Sequence, residues 1–444
     1  MKTRLRRAAV SVFACCVLWN APLARGDVET YVKAPDPSFQ YTVENSTEAP
    51  GLGQVLSVRL TSQTWQGIPW QHWLTILRPE KVEHADIGLL LINGGSSKSK
   101  PPSALSKEGL VVAEIARKTG TVVCILSQVP NQPLFGDLKE DGLIAHTFIK
   151  YLETQDETWP CLLPMTKSAV RAMDAVQALV KEKFSQDLKK FVVTGASKRG
   201  WTTWLTGSVD PRVCAIAPMV IDTLNMQKQM ALQRLSFGGY SEQIADYTSR
   251  HLPERLADPR AKPLLQLVDP YYRIPKLTLP KLIVLGTNDR YWPVDAVKMY
   301  FFDLAGEKLI HYVPNAGHGL GPGAIEAVSA FYEDVVTGKE RPRFTWSFKK
   351  EAGEGRFEIA ATDRPIRAEL WSAESPTRDF REAKWAGHEI EGTADSKFIG
   401  RLAAPAKGFA ALFGRLTFKS SLGHEYALCT NMEVLGDLPG AATN

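Results

Sequence analysis

The sequence Phe191-Val-Val-Thr-Gly-Ala-Ser-Lys-Arg-Gly200 predicts the fold of this chain. Its first four residues form an apolar, β-branched run, which is typical of a buried parallel strand. Gly195-Ala196-Ser197 then indicates a sharp turn, and residues 198–205 are expected to form a helix that packs back on the sheet. The pattern therefore predicts a serine hydroxyl that is exposed at the end of a buried strand.

A strand, a tight turn bearing serine and a helix together make the nucleophile elbow of α/β-hydrolases. The N-terminus of the helix offers backbone N–H groups and the positive end of its dipole to a developing oxyanion. The usual motif is G-x-S-x-G, whereas here Arg199 occupies the second glycine position and Gly200 follows one residue later. A purely structural Gly-Ala-Ser turn is therefore the alternative to a catalytic Ser197.

Two further polar residues follow predicted strands in the order that this fold requires. Residues 282–285 form a strand that leads to Asp289, and residues 308–313 form a strand that leads to His318. The α/β-hydrolase triad has the chain order Ser, Asp, His; its imidazole takes the serine proton and its carboxylate orients the imidazole. We therefore predict that Ser197, Asp289 and His318 are catalytic.

Asp222 and Asp295 are rival candidates for the acid of this triad. Asp222 follows the strand after the elbow, where some α/β-hydrolases carry their acid. We favour Asp289 because its loop joins a strand to a helix and has Pro293 behind it, as in the usual acid turn. Asp222 is then expected to lie near the substrate.

The oxyanion donors are expected to come from the backbone. One is the N–H of Lys198, and the other belongs to the loop after the strand at 87–92, which contains Gly94 and Gly95. An ordinary glycine turn is the alternative for this loop.

The side chain of Lys198, at a helix N-terminus, is expected to bind a negative group, either the oxyanion or a substrate carboxylate. A solvated lysine is the alternative.

The N-terminal 26 residues have the features of a secretory signal. A basic segment containing Lys2 and Arg4 precedes a short apolar core, and Ala24-Arg25-Gly26 fits a cleavage site. We therefore expect export to the periplasm or the extracellular space, with an uncleaved anchor as the alternative. No later segment has the length that a membrane span requires.

Charge and residue patterns argue against several classes of function. The chain has 53 basic residues, and the leader contains five of them, so 48 remain against 48 acidic residues. The formal net charge of the mature chain is therefore zero, and nucleic acid is not an expected partner. The four remaining cysteines show no C-x-x-C pattern, which leaves either buried thiols or one disulfide. The eight histidines show no H-x-H or H-E-x-x-H pattern. We expect neither a metal nor a cofactor, and the pattern does not predict an oligomeric state.

The order of the predicted elements divides the chain. Residues 27–338 are expected to form an α/β-hydrolase domain, which begins with an extended arm at 27–53. Within it we expect a long irregular stretch at 127–158 and a helix at 294–304. Residues 223–276 break the alternation of strands and helices and are interpreted as a helical cap over the active site, with an ordinary crossover as the alternative. Short alternating strands in residues 339–444 predict a β-sandwich. We expect it to supply no catalytic residue, so a chain ending near Gly338 should keep its activity.

Motifs spread over almost the whole mature chain resemble those of one family. They are Tyr31-Val-Lys-Ala-Pro-Asp-Pro-Ser-Phe39, Val129-Pro-Asn-Gln-Pro133, Leu163-Pro-Met165, Ala172-Met-Asp174, Thr194-Gly-Ala-Ser-Lys-Arg-Gly-Trp201, Val220-Ile-Asp-Thr-Leu-Asn225 and Asn315-Ala-Gly-His318. By these motifs the chain is similar to the PhoPQ-activated pathogenicity-related protein family. The resemblance implies an α/β-hydrolase fold, export and poorly defined substrates.

The elbow is also similar to that of glucuronoyl esterases, in which an arginine takes the place of Lys198 and assists the oxyanion. The chain departs from that family elsewhere, because it lacks the glutamate expected after the following strand and has Asp222 nearby.

These patterns together predict an exported serine hydrolase that cleaves an ester or amide bond through an acyl-enzyme intermediate. The substrate would be a small molecule, a peptide or a glycan ester, so that an esterase and a peptidase both remain open. A binding or signalling protein on the same scaffold, without catalysis, is the alternative.

Overall fold

The computed structural model of the chain describes residues 27–100, 107–351 and 353–436. The predicted signal at 1–26 and its cleavage site lie outside these residues, so their removal stays a prediction. Within the described ranges, no helix combines the length and the apolar character that a membrane span needs.

The first part of the chain builds a mixed sheet. Its strands are β1 (Gln40–Ala49), β2 (Gly53–Trp65), β3 (Ile68–Arg78), β4 (Ile87–Ile92), β5 (Val122–Leu126), β6 (Lys190–Ala196), β7 (Val213–Met219), β8 (Lys281–Gly286) and β9 (Lys308–Val313). They lie in the order β1-β2-β3-β5-β4-β6-β7-β8-β9. The pairs from β1 to β5 are antiparallel, and all pairs from β5 to β9 are parallel. This is the α/β-hydrolase fold, which confirms the predicted fold class.

Helices cover both faces of the sheet, as parallel strands require. They are α1 (Val28–Lys33), α2 (Lys107–Thr119), α3 (Glu140–Thr154), α4 (Leu162–Phe184), α5 (Lys198–Val209), α6 (Met226–Phe237), α7 (Ala245–Thr248), α8 (Leu252–Ala257), α9 (Lys262–Val268) and α10 (Pro322–Thr337). Residues of α3, α4 and α5 share one apolar core, and residues of α2 and α10 share the other. Strand β5 is buried along its whole length because it has helices on both sides.

Two segments are more regular than expected. Residues 27–53, interpreted as an extended arm, contain α1 and the edge strand β1, which pairs antiparallel with β2. Val28 and Val32 of α1 are buried, and this anchors the start of the described chain. The stretch at 127–158, expected to be irregular, contains α3, whose buried face includes Phe148.

Residues 294–304 are less regular than expected. Instead of one helix they form two 3-10 turns, Ala296–Met299 and Phe301–Asp303. The backbone of Tyr300 has a φ of −146°, outside the helical region, and this ends the first turn. The segment at 223–276 is helical as predicted and comprises α6 to α9 with three short 3-10 turns.

The C-terminal residues form separate antiparallel sheets, as predicted. Their strands are β10 (Phe344–Glu351), β11 (Glu354–Ala361), β12 (Arg367–Ser375), β13 (Ala386–Glu389), β14 (Lys397–Ala403), β15 (Phe409–Lys419), β16 (Glu425–Cys429) and β17 (Glu433–Leu435). One sheet has the order β10-β11-β14, and the other has the order β13-β12-β15-β16 with β17 also paired to β15.

These C-terminal sheets share apolar cores with the hydrolase sheet. The ring of Phe413 in β15 lies 5.0 Å from the ring of Tyr312 in β9, between ring centroids. The His311 ring of the same strand β9 makes a hydrogen bond of 2.7 Å to the Ala427 carbonyl in β16. A domain boundary near residue 338 therefore stays a proposal, and these contacts argue against independent folding of the two parts.

All four cysteines of the described residues are free: Cys124, Cys161, Cys214 and Cys429. Burial raises the pKa of each thiol, which keeps it in the neutral, unreactive form.

The shared core can be tested with Phe413→Ala. Since Phe413 is fully buried, we expect this change to lower the free energy of unfolding by about 3–5 kcal/mol. Urea denaturation measures this value. The matched control is Phe302→Ala, because Phe302 is 63% exposed and its loss should change stability by less than about 1 kcal/mol. Equal effects of the two changes would show that the C-terminal sheets do not contribute to one core.

Candidate active site

Ser197 lies in the turn between β6 and α5, with a backbone that L-residues rarely adopt (φ 57°, ψ −125°). Its N–H donates to the Met219 carbonyl at the end of β7, at 2.9 Å. A methyl group on Gly195 would lie 2.8 Å from a backbone oxygen of α5, and one on Gly200 would lie 2.7 Å from Ile221 Cγ2. The displaced second glycine of the motif is therefore needed where α5 passes close to the end of β7.

Ser197, His318 and Asp289 form a continuous hydrogen-bonded chain. Ser197 Oγ lies 2.9 Å from His318 Nε2, and His318 Nδ1 lies 2.8 Å from Asp289 Oδ2. The three side chains follow β6, β9 and β8, whose carboxyl ends share one edge of the sheet. The side chain of Asp289 is 6% exposed and that of His318 is 27% exposed, so the imidazole is the solvent-facing partner of the pair. The arrangement has the geometry of a nucleophile, a base and an orienting acid.

The loop that carries Asp289 also orients it. Asp289 Oδ1 accepts the backbone N–H of Tyr291 at 2.8 Å. The Tyr291 ring lies against the His318 ring, with centroids 4.2 Å apart and planes inclined by 33°. Tyr291 therefore restricts both the carboxylate and the imidazole. This role of Tyr291 was not predicted from the sequence. The available signal was its position two residues after the candidate acid Asp289.

The two rival acids have other partners. The carboxylate of Asp222 accepts a hydrogen bond of 2.5 Å from the Tyr300 hydroxyl. Burial raises the pKa of Asp222 to about 7, an effect that its bond to Tyr300 opposes and the negative charges of Asp289 and Asp295 reinforce. Asp295 is bound by the Arg378 guanidinium at 2.5 Å. Of the three carboxylates, only Asp289 is hydrogen-bonded to His318 in the described structure.

The ammonium of Lys198 is paired with two carboxylates. Lys198 Nζ lies 2.9 Å from Asp141 Oδ2 and 3.5 Å from Glu140 Oε2, and its side chain is 9% exposed. Asp141 also accepts a hydrogen bond of 2.9 Å from the Tyr247 hydroxyl. The lysine is thus not solvated, and binding of an anion by its side chain stays a prediction. Both acids lie in α3 and were missed because that stretch was interpreted as irregular.

Arg199, which replaces the usual glycine, packs against the predicted oxyanion loop. Its guanidinium donates to both carboxylate oxygens of Glu140, at 2.6 and 2.8 Å. A methyl group on Gly94 would lie 2.6 Å from Arg199 Nη2, so this close approach requires glycine. The Gly94 N–H donates to Asn93 Oδ1 at 2.9 Å, and Gly95 has a φ of 129°, which favours glycine. The glycine pair therefore lies beside the elbow helix.

A pocket opens beside Ser197 and contains about 690 Å³ of space between atoms, part of it open to solvent. Ser197, Lys198 and His318 form one side. The segment at 223–276 forms much of another side, through Met226, Met230, Ile244, Tyr247, Leu252 and Leu256. This is the position expected of a cap. Within the described ranges, no three side chains of the metal-binding types are grouped around one point.

Comparison with known proteins identifies the family. Residues 28–381 match the PhoPQ-activated pathogenicity-related proteins. The chain belongs to this family. It is also 31% identical to the autocrine proliferation repressor protein A of Dictyostelium discoideum over 447 residues, which cover 92% of this chain and 89% of that protein. The resemblance seen in the sequence motifs is confirmed.

Solved structures similar to this family member include esterases and peptidases. The acetyl xylan esterase from Paenibacillus sp. R4 is 14% identical, with a TM-score of 0.48 over 66% of this chain and 86% of that one. The acylaminoacyl peptidase of Pyrococcus horikoshii is 12% identical, with a TM-score of 0.40 over 68% of this chain and 47% of that one. At these identities the likeness concerns the α/β-hydrolase fold alone.

The family match ends at Arg381, inside a segment that contacts the loops of both Asp289 and His318. We call this segment, residues 378–385, the strap. Asn288, next to the candidate acid, donates from Nδ2 to two strap carbonyls at 2.7 and 3.2 Å. Asn315, in the loop of the candidate base, donates to the Trp385 carbonyl at 3.0 Å and accepts the Trp385 N–H at 2.8 Å. One strap thus holds the loops of both Asp289 and His318.

The buried carboxyl of Asp222 should make stability depend on pH. Its pKa is raised in the fold, so the folded state retains a proton that the unfolded state loses between about pH 4 and pH 7. The protonated carboxyl therefore contributes fully to the free energy of unfolding up to about pH 4. This contribution, up to roughly 4 kcal/mol, is lost as the pH rises through about 7. Asp269 has a similar pKa of about 7, so it adds to the same slope.

We expect the free energy of unfolding of wild type to fall relative to that of Asp222→Asn as the pH rises from 4 to 8, because asparagine does not titrate; urea denaturation measures both values. The control is Asp187→Asn, at a side chain that is 66% exposed, for which the difference should stay constant. A constant difference for Asp222→Asn as well would mean that Asp222 is ionised in the fold throughout this range.

Proposed function

We propose that this protein is a serine hydrolase that cleaves an ester or amide bond, with Ser197 as the nucleophile. The observation that carries the proposal is the hydrogen-bonded chain from Ser197 Oγ through His318 to Asp289. A serine hydroxyl is a weak nucleophile unless a base takes its proton, and imidazole does so near neutral pH. Export to the periplasm or the extracellular space is part of the proposal and rests on the leader sequence.

The proposed reaction has two halves. In the first, His318 takes the proton of Ser197 as Oγ attacks the substrate carbonyl, and Asp289 stabilises the resulting imidazolium. His318 then gives the proton to the leaving alcohol or amine, and an acyl-enzyme remains. In the second, His318 takes a proton from water as the water oxygen attacks the acyl carbon. The bond from that carbon to Ser197 Oγ then breaks, the carboxylic acid leaves, and His318 returns the proton to Ser197.

The proposed oxyanion donors are backbone groups. The N–H of Lys198 is the first of α5, so the helix dipole adds to its hydrogen bond. The loop of Gly94 and Gly95 is proposed as the second donor because it follows β4 and lies against the elbow helix. If Gly94 donates, its N–H leaves Asn93 Oδ1 when substrate binds.

A second candidate function is signalling without catalysis. It is favoured by the name of the Dictyostelium discoideum relative, a proliferation repressor. The two functions are separable, because only the hydrolase requires the Ser197 hydroxyl.

The triad predicts a non-additive set of variants. Ser197→Ala and His318→Ala should each lower turnover by roughly 10⁴- to 10⁶-fold, and the double variant should lose little more, because the two groups act as a unit. Steady-state kinetics on p-nitrophenyl esters and labelling by a fluorophosphonate probe measure this, with melting curves to confirm folding. Full activity or labelling in Ser197→Ala would exclude Ser197 as the nucleophile.

The choice of acid is tested by a matched pair. Asp289→Ala should lower turnover by roughly 10³- to 10⁴-fold, since the imidazole loses its orienting partner. Asp222→Asn, which removes the rival carboxylate, should retain most of the activity. The opposite ranking would assign the acid to Asp222.

The strap should matter for turnover although it carries no member of the triad. Asn315→Gly removes both hydrogen bonds to Trp385, and glycine tolerates the φ of 57° at this position. A loosened His318 loop should lower kcat by roughly tenfold to a hundredfold with little change in KM. The control is Ser396→Gly, another position with a φ of 56°, which lies outside both catalytic loops. An unchanged kcat in Asn315→Gly would show that the His318 loop keeps its geometry without the strap.

A further inference from the structure

We propose that the pocket beside Ser197 takes an uncharged, apolar group of the substrate, and that Asp141 keeps anionic substrates out by compensating Lys198. The proposal rests on the proposed function, in which Ser197 attacks the bond next to this group. It names the substrate class that the sequence left open: esters or amides with a hydrocarbon group at the reacting end.

The pocket wall is built mostly from carbon. Met226 and Met230 of α6 and Leu252 and Leu256 of α8 form the side that comes from the cap segment. Phe148, Trp201 and Ile221 also line the pocket, and all three are buried. Methionine side chains are flexible and polarisable, so they pack against hydrocarbon groups of different shapes.

Two polar groups at the wall are already bound within the protein, and Trp292 Nε1, which has no hydrogen-bond partner among the described residues, is buried away from the pocket space. Trp201 Nε1 donates to the Val268 carbonyl at 2.6 Å, which leaves the carbon face of the indole for the pocket. The Tyr247 hydroxyl donates to Asp141 at 2.9 Å. A polar substrate group placed here would lose its bonds to water without gaining equivalent partners, and this is unfavourable.

The charges at the pocket also balance. Lys198 is paired with Asp141 at 2.9 Å, and Arg199 is paired with Glu140 at 2.6 Å. Of these four charged residues Lys198 and Asp141 line the pocket, and their side chains are 9% and 13% exposed. A substrate carboxylate would have to be desolvated and then compete with Asp141 for Lys198, so the lysine offers it no net attraction.

Two esters of matched length test the preference. In p-nitrophenyl butyrate the acyl chain ends in a methyl group, whereas in p-nitrophenyl hemisuccinate a carboxylate takes the place of that methyl. We expect kcat/KM to be at least about a hundredfold higher for the butyrate, because only the hemisuccinate buries a charge.

Asp141→Asn should change this ratio specifically. Removing the carboxylate leaves Lys198 with only Glu140, which is 3.5 Å away and also pairs with Arg199, so the ratio of butyrate to hemisuccinate activity should fall by at least about tenfold. The matched control is Asp137→Asn, which removes an aspartate that is 77% exposed just before α3 and should leave the ratio unchanged. An unchanged ratio in Asp141→Asn would overturn the role given to Asp141.

Met230→Trp tests the wall itself. A larger side chain on this side of the pocket should lower kcat/KM for the octanoate ester by at least about tenfold relative to the acetate ester. Leu235→Trp is the control on the same helix, since Leu235 is 47% exposed and does not line the pocket. Equal chain-length profiles for both variants would place the acyl group elsewhere.

A binding measurement separates this proposal from the proposed function. In Ser197→Ala, quenching of tryptophan fluorescence reports binding near Trp201 and Trp292, which both line the pocket. If the butyrate binds more tightly than the hemisuccinate but wild type shows no Ser197-dependent hydrolysis, the apolar site stands and the hydrolase function falls. If hydrolysis depends on Ser197 but the hemisuccinate is preferred or equal, the apolar site falls and the hydrolase function stands.

Discussion

The backbone of Ser197 is the constraint on which the rest of the site depends. A residue with this φ and ψ is strained by on the order of 1–3 kcal/mol, so its surroundings must hold it in place. Its N–H bond to Met219 and the close contact of Gly200 with Ile221 do so. Because β6 and β7 lie inside a sheet that is covered on both faces, the turn cannot relax without disturbing that core. The hydroxyl is therefore kept in front of His318.

Arg199 explains how the motif can depart from its usual form. The second glycine normally lets the helix pass close to its neighbours, and here Gly200 serves that purpose. The freed position carries a guanidinium that donates to the Val129 carbonyl after β5 and to Glu140 at the start of α3. The substitution thus joins the elbow to two other elements of the site.

The proximity of Ser197, Asp289 and His318 could be predicted because its signal is local. Each residue follows an apolar strand, and parallel strands bring their carboxyl ends to one edge of the sheet. Their catalytic role stays a prediction. The partners of Lys198 could not be predicted, because α3 lies more than forty residues before the elbow and no sequence pattern links the two segments. The strap could not be predicted either, since Asn288 binds backbone carbonyls, which carry no sequence signal.

The side chains of Asn288 and Asn315 bind main-chain atoms of the strap. These contacts therefore depend on the path of the strap backbone, whereas strap side chains such as the buried Phe380 and Trp385 are constrained separately by their own packing. An insertion or deletion in the strap would break these hydrogen bonds, because it would move the carbonyls away from Asn288 and the peptide group away from Asn315. Recombination that exchanged the C-terminal parts of two relatives would keep these hydrogen bonds only where the strap backbone follows the same course in both.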